Sequence, residues 1–170
     1  TGSNASFIYN QTIFQQIKFV TDTNDCIADI IIEAIVEKVD VKVSVFNQLT
    51  SINHSDVIFA SNTSSLSISE IQSGVQNPQR VVGMHFFNPA QVMKLVEVVK
   101  GDQTDDAVAQ TVYNLCLQMK KTPVMCKDAP GFIVNRVARH YYLEAMKLVE
   151  TGIASFENVD EMLEASGFKM

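Results

Sequence analysis

Ala28-Asp29-Ile30-Ile31-Ile32-Glu33-Ala34-Ile35 is a nearly continuous apolar run rich in isoleucine. Such a run reads as a strand buried on both faces. Lys38 to Ile52 follows, with Val39, Val43, Phe46 and Leu49 in a helical stripe. Val57 to Ser61 is the next buried strand, and Ile17 to Thr21 is predicted as a short strand ahead of the run. Further along, Ser69 to Val75 reads as a short helix before the turn at Asn77-Pro78, and Val81 to Phe86 and Leu95 to Lys100 read as strands. Thr104 to Lys120 reads as a helix with Ala107, Val108, Val112, Leu115 and Met119 inward, and Pro123 to Lys127 as a last strand. Strands alternating with helices predict an α/β fold with a parallel, doubly wound sheet.

The pattern changes after Asp128. Pro130-Gly131 suits the first turn of a helix. From Phe132 to Glu150, Val134, Val137, Ala138, Tyr141, Ala145 and Leu148 recur at helical period until Gly152. Ser155 then suits the N-cap of a helix from Phe156 to Ala165. The predicted organisation is an α/β domain over 6–127 and the start of an all-helical domain over 128–170. Thr1 to Ala5 reads as a cloning remnant.

The chain has 170 residues, 46% of them hydrophobic, which suffices for a real core. A net charge of -6 without a basic patch argues against nucleic acid. The longest apolar run, Ile27 to Val36, holds Asp29 and Glu33 and is too short to span a bilayer. Cys26, Cys116 and Cys126 are widely spaced and odd in number, so they read as reduced thiols in a reducing compartment. No metal-ligand set is read.

The chemistry concentrates at His85-Phe86-Phe87-Asn88-Pro89 and Met93-Lys94-Leu95-Val96-Glu97-Val98-Val99. An ionised Glu97 among Leu95, Val96, Val98 and Val99 is costly to bury alone, and His85 is the obvious partner. A histidine held by a buried carboxylate is a general-base arrangement. Ligands of open α/β sheets bind at the C-terminal strand ends. Three such ends carry polar residues: Glu37 with Lys42, the run Ser61-Asn62-Thr63-Ser64-Ser65, and His85 with Asn88. Asn135, amid Phe132, Ile133, Val134 and Val137, is a fourth contributor that needs a partner if buried.

Four motifs together resemble the L-3-hydroxyacyl-CoA dehydrogenase family. They are Glu33-Ala34-Ile35-Val36-Glu37, Ser61 to Leu66, His85 to Pro89 with Met93 to Val98, and Cys126-Lys127-Asp128-Ala129-Pro130-Gly131-Phe132-Ile133-Val134-Asn135-Arg136. Their spacing agrees with the family: 85 − 64 = 21, 97 − 85 = 12 and 135 − 85 = 50. The resemblance implies a Rossmann-type domain followed by the first helices of a helical dimerisation domain. It implies NAD as cofactor, an acyl-CoA as substrate, and a homodimer in the full-length protein, with no nucleic acid or membrane partner. The implied location is cytoplasmic, or the mitochondrial matrix in a eukaryote.

The implied roles follow the motifs. His85 takes the proton of the substrate 3-hydroxyl while hydride passes to NAD⁺, and Glu97 holds and polarises His85. Ser64 and Asn135 hydrogen-bond the substrate oxygen and the neighbouring acyl carbonyl region. Glu37, Lys42, Asn62, Ser64 and Asn88 fall on the cofactor side. The seven glycines include no GxGxxG, so the first strand and the pyrophosphate turn are expected to be missing, along with the rest of the helical domain. Gln91 stands where the family usually has Pro. The chain is therefore expected to be the middle of a longer enzyme with much reduced NAD affinity on its own. Other readings stay open at this point: a relative acting on a small hydroxy acid, such as a gulonate dehydrogenase; a non-catalytic, crystallin-like structural relative; and a segment of a multifunctional β-oxidation protein.

Overall fold

The structure, a computed structural model, describes residues 14–168. The reading of Thr1 to Ala5 lies outside these residues. Among the described residues five strands form one sheet in the order β1 (Ile30–Glu33), β2 (Ile58–Ser61), β3 (Val81–Phe86), β4 (Leu95–Lys100) and β5 (Thr122–Lys127). Helices α1 (Val39–Thr50), α2 (Ile68–Ser73) and α3 (Asp106–Gln118) lie between them, and α4 (Val134–Glu150) and α5 (Phe156–Ala165) follow.

The sheet is doubly wound. Ile58, Ala60, Val82, Met84, Val96 and Val98 face α3, which buries Val108, Ala109, Val112 and Cys116 against them. The alternate residues Val57, Phe59, Val81 and Val99 face Phe46 and Leu49 of α1 and Ile68 and Ile71 of α2. Each such fully buried side chain contributes about 1.5–3 kcal/mol relative to exposure. The inner stripe of α3 thus runs through Ala109 and Cys116 rather than the predicted Ala107 and Met119, which are exposed.

One expectation needs correcting in a way that matters for the site. The pairs β1–β2, β2–β3 and β4–β5 are parallel, but β3 and β4 are antiparallel. Only residues 87–94 join them, too few for the crossover that a parallel return needs. The antiparallel register sets Gly83 opposite Val99, Met84 opposite Val98 and His85 opposite Glu97. Gly83 is required there: a Cβ would stand 2.7 Å from the Val99 Cβ and 3.1 Å from Ile68.

Two further expectations fail at the sheet's edge. Residues 17–20 form no strand, and Ile17, Phe19 and Val20 are exposed. Among the described residues β1 lies at the edge of the sheet and is not buried on both faces, since Ile32 is 44% exposed. Pro130-Gly131 does not open α4 either. Gly131 and Phe132 both take left-handed φ (73° and 46°), turning the chain just before the helix. Beyond that turn, Val159 is the only buried residue of α4 and α5 among the described residues. Val137, Met146, Ile153 and Phe156 stay exposed.

Candidate active site

The antiparallel register is what assembles the pair. Residues directly opposite on adjacent strands share a face of the sheet, so β3 and β4 bring His85 and Glu97 side by side. His85 Nδ1 lies 2.8 Å from Glu97 Oε2, with both residues buried. Phe87 and Phe132 flank the imidazole, their ring centroids 4.6 and 5.8 Å away. The other ring nitrogen, Nε2, has no partner among the described residues.

Glu97 does more than hold the histidine. Its second oxygen, Oε1, accepts from the backbone N–H of Ile133 and of Val134, each at 2.9 Å. These are the amides of the N-cap and of the first residue of α4, where helices leave donors unsatisfied and favour negative charge. The left-handed pair Gly131-Phe132 aims them. One residue further on, Asn135 Nδ2 donates to the Ser64 carbonyl at 3.2 Å. Ser64, Asn135, Arg139 and Tyr142 line a cleft of about 300 Å³. A continuous set of bonds thus joins His85, Glu97, the start of α4, Asn135 and the serine turn.

The turn itself is built on Glu37. Glu37 Oε1 accepts from the Thr63 hydroxyl, the Ser64 N–H at 3.1 Å, and the Ser65 N–H and hydroxyl at 3.3 and 3.1 Å. Partial burial pushes the Glu37 carboxyl up, but the Thr63 bond, the bond to and charge of Lys42, and the Ser64 N–H outweigh it and leave it below the ordinary value. Lys42 is buried and lies 2.6 Å from Glu33 and 3.2 Å from Glu37. Asn62 Oδ1 accepts the Phe86 N–H at 2.8 Å, tying the ends of β2 and β3 together. Asn88 is exposed and stands outside the bonded set.

The polar run Ser61 to Ser65 and the Glu33 motif are read from the sequence, but the bonds of Glu33 to Lys42, of Thr63 and Ser65 to Glu37, and of the second Glu97 oxygen to α4 are not. Glu33 carries the same signal as Glu97: a carboxylate inside an apolar strand that must find a partner. Thr63 and Ser65 give no signal beyond a polar turn. Burial, together with the carboxylates of Glu97 and Asp128, pushes the neighbouring Cys126 thiol up to about 12.

The description "3-hydroxyacyl-CoA dehydrogenase, NAD binding domain" matches residues 7–129, and "3-hydroxyacyl-CoA dehydrogenase, C-terminal domain" matches residues 131–170. A 3-hydroxyadipyl-CoA dehydrogenase of Escherichia coli (strain K12) is 47% identical over 144 residues, which are 84% of this chain and 30% of that protein. The human mitochondrial hydroxyacyl-coenzyme A dehydrogenase is 43% identical over 143 residues, 84% of this chain and 46% of that one. The chain spans less than half the length of these curated relatives. The crystal structure of (S)-3-hydroxybutyryl-CoA dehydrogenase from Ralstonia eutropha superposes with a TM-score of 0.86 at 40% identity, covering 91% of this chain and 55% of that one.

The residues present fit the nicotinamide end of a dinucleotide. Ile35 and Val36 are exposed apolar residues past the end of β1, next in sequence to the Glu37 carboxylate that accepts from the Ser65 hydroxyl. An aromatic ring can lie on the former and ribose hydroxyls can bond the latter.

Proposed function

The chain belongs to the 3-hydroxyacyl-CoA dehydrogenase family, and from that premise we propose that the complete protein oxidises L-3-hydroxyacyl-CoA to 3-ketoacyl-CoA with NAD⁺. The observation that carries this reading is the His85–Glu97 pair, 2.8 Å apart on facing strands, with Nε2 free of partners among the described residues. Glu97 accepts from Nδ1–H, so Nε2 is the unprotonated nitrogen, able to take the substrate hydroxyl proton. The carboxylate then stabilises the imidazolium. The Ser64 hydroxyl and the Asn135 amide supply donors for the substrate oxygen and the acyl carbonyl region. Glu37 and Asn88 meet the nicotinamide ribose and ring, and Asn62 shapes the backbone between them. NAD supplies the hydride-acceptor chemistry, while the chain supplies position and charge.

A domain boundary near Asp128 belongs to the same proposal, with the α/β part over 6–127 binding the cofactor and 128 onward opening the helical domain. The exposed apolar residues of α4 and α5 support a homodimer, or further helices, covering them in the complete protein. Three free cysteines support a reducing location, cytosolic or, in a eukaryote, the mitochondrial matrix. Among the described residues no helix is long and apolar enough to cross a membrane.

The test is NADH oxidation with acetoacetyl-CoA by the complete protein, beside its His85→Ala variant. A loss of about 10²–10⁴-fold in kcat is expected from removing a general base. A folded variant as active as the parent overturns the reading.

A further inference from the structure

The side chain of Lys42, on the cofactor side of the site, is 1% exposed. Its ammonium faces two carboxylates: Glu33 Oε1 at 2.6 Å and Glu37 Oε2 at 3.2 Å. It thereby reaches the residue that shapes the serine turn.

The chain of contacts begins in the sheet. Glu33 ends β1 and is buried; its Oε1 also accepts the Ile35 N–H at 2.6 Å, and its Oε2 accepts the Ser61 hydroxyl at 2.7 Å. Glu33 is therefore fixed to the ends of two hydrogen-bonded strands. Glu37 is not fixed in that way. It lies in the exposed, irregular segment 34–38, and its side chain is 38% exposed. Backbone structure alone does not place its carboxylate. A buried cation held by Glu33 does, and the freed oxygen of Glu37 then gathers the Thr63 hydroxyl and the Ser64 and Ser65 amides.

We infer that Glu33 and Lys42 are positioning residues: their buried ion pair fixes Glu37, and Glu37 in turn sets the 63–65 turn that presents the Ser64 hydroxyl. The catalytic weight of this device rests on the role proposed for Ser64; the device itself is testable without substrate or cofactor.

The measurement is NMR of the chain, following the Ser64 and Ser65 amide protons with pH. Both donate to the Glu37 carboxylate, so both report its protonation. Lys42 on α1 and Glu33 at the end of β1 are the charged groups turned toward it, and the 63–65 turn adds only hydroxyls and amides. In the parent, the two amides shift together with a midpoint below the ordinary glutamate value. Glu37→Gln must abolish that shift; its persistence would mean that the turn reads another acid and would overturn the inference. Glu33→Gln leaves Lys42 to Glu37 alone and lowers the midpoint. Lys42→Met by itself strands a buried carboxylate and risks unfolding, so the Glu33→Gln/Lys42→Met pair is used. It raises the midpoint and accelerates amide exchange at Ser65 about tenfold, while the Val82 and Val98 amides stay put. Opposite signs in the two variants show that both charges act on Glu37, and the faster Ser65 exchange beside unmoved Val82 and Val98 is the signature of the relay. General loosening would move both midpoints alike, and that result, or unchanged midpoints in folded variants, refutes it. If the double variant does not fold, Glu33→Gln alone still decides, since an unchanged or raised midpoint there contradicts the relay.

Discussion

Replacing Glu97 by Gln separates the two duties of this carboxylate. Glutamine has the same shape but one acceptor oxygen and one donor amide. Two orientations are possible at a site that is 1% exposed. With its oxygen toward α4, the side chain still accepts from the Ile133 and Val134 amides, and its NH₂ faces His85 Nδ1. With the oxygen toward His85, the NH₂ confronts two buried N–H groups, each of which then loses its acceptor at about 1–3 kcal/mol. The helix amides therefore choose the first orientation. Nδ1 must then accept, the ring proton moves to Nε2, and Nε2 can no longer take a proton from substrate.

An aspartate-to-asparagine change that imposes the wrong tautomer in a serine-protease triad costs about 10⁴ in kcat. A loss of that order, about 5.5 kcal/mol at 1.36 kcal/mol per decade, is expected here with little change in KM. Stability falls as well. Three charge-assisted bonds become neutral ones, each weaker by about 1 kcal/mol, so about 3 kcal/mol is lost. For a domain of this size that lowers Tm by about 6–12 °C. The assays are NADH oxidation by the complete protein, thermal unfolding, and ¹⁵N NMR of the His85 ring. A Glu97→Gln protein with Nδ1 still protonated, or with kcat within tenfold of the parent, refutes the orientation argument. An unchanged Tm would show that the carboxylate does not hold the start of α4.

Three further outcomes follow from single contacts. Gly83→Ala drives a Cβ to 2.7 Å from Val99 and costs about 1–3 kcal/mol of overpacking; thermal denaturation measures it, and a neutral result means that both β4 at Val99 and α2 at Ile68 can give way. The Cys126 thiol, pushed up to about 12, stays protonated at pH 8 and resists iodoacetamide in the native protein; stoichiometric alkylation at Cys126 without unfolding contradicts that placement. The folded state holds the Glu37 carboxyl below its ordinary value, so its contribution to stability is present above the unfolded value and lost as pH falls through the folded one. Denaturant midpoints from pH 6 down to 3 should therefore decline less steeply in Glu37→Gln than in the parent, and parallel curves count against it.

Much of this arrangement is legible in the sequence because buried charge is conspicuous there. Glu97 within Leu95 to Val99 demands a partner, and β3 and β4 lie as predicted, so the pairing with His85 can be read from the residues alone. The antiparallel turn between those strands is latent in the sequence as well: no helical stripe fits between Phe86 and Leu95. What the sequence hides is long-range bonding by groups with no local signal. Thr63 and Ser65 look like any polar turn until Glu37, 26 and 28 residues earlier, is placed against them. Lys42 is placed beside Glu37 by the sequence, but its second carboxylate partner, Glu33, shows only in the fold. The missing strand at 17–20 fails for a related reason: an apolar segment becomes a strand only where a partner edge is offered, and there Ile17 and Phe19 stay in solvent.

The recurring device is an acid that divides its two oxygens. Glu97 gives one to His85 and the other to the amides at the start of α4. Glu33 gives one to Lys42 and the other to Ser61, and Glu37 gives one to Lys42 and the other to the serine turn. A carboxylate used at both ends cannot rotate to satisfy one partner without abandoning the other, so it transmits the placement of a strand to whatever it touches. A sheet holds its own backbone well but says nothing about loops past its ends, and Ser64 sits on such a loop and Asn135 on a helix start. Through these acids Ser64, Asn135 and His85 are all referenced to the same sheet edge. The cost is exposure to single substitutions: removing either partner leaves a charge or a donor unsatisfied in a dry place, which is why the isosteric amide, rather than alanine, is the variant that can tell positioning from collapse.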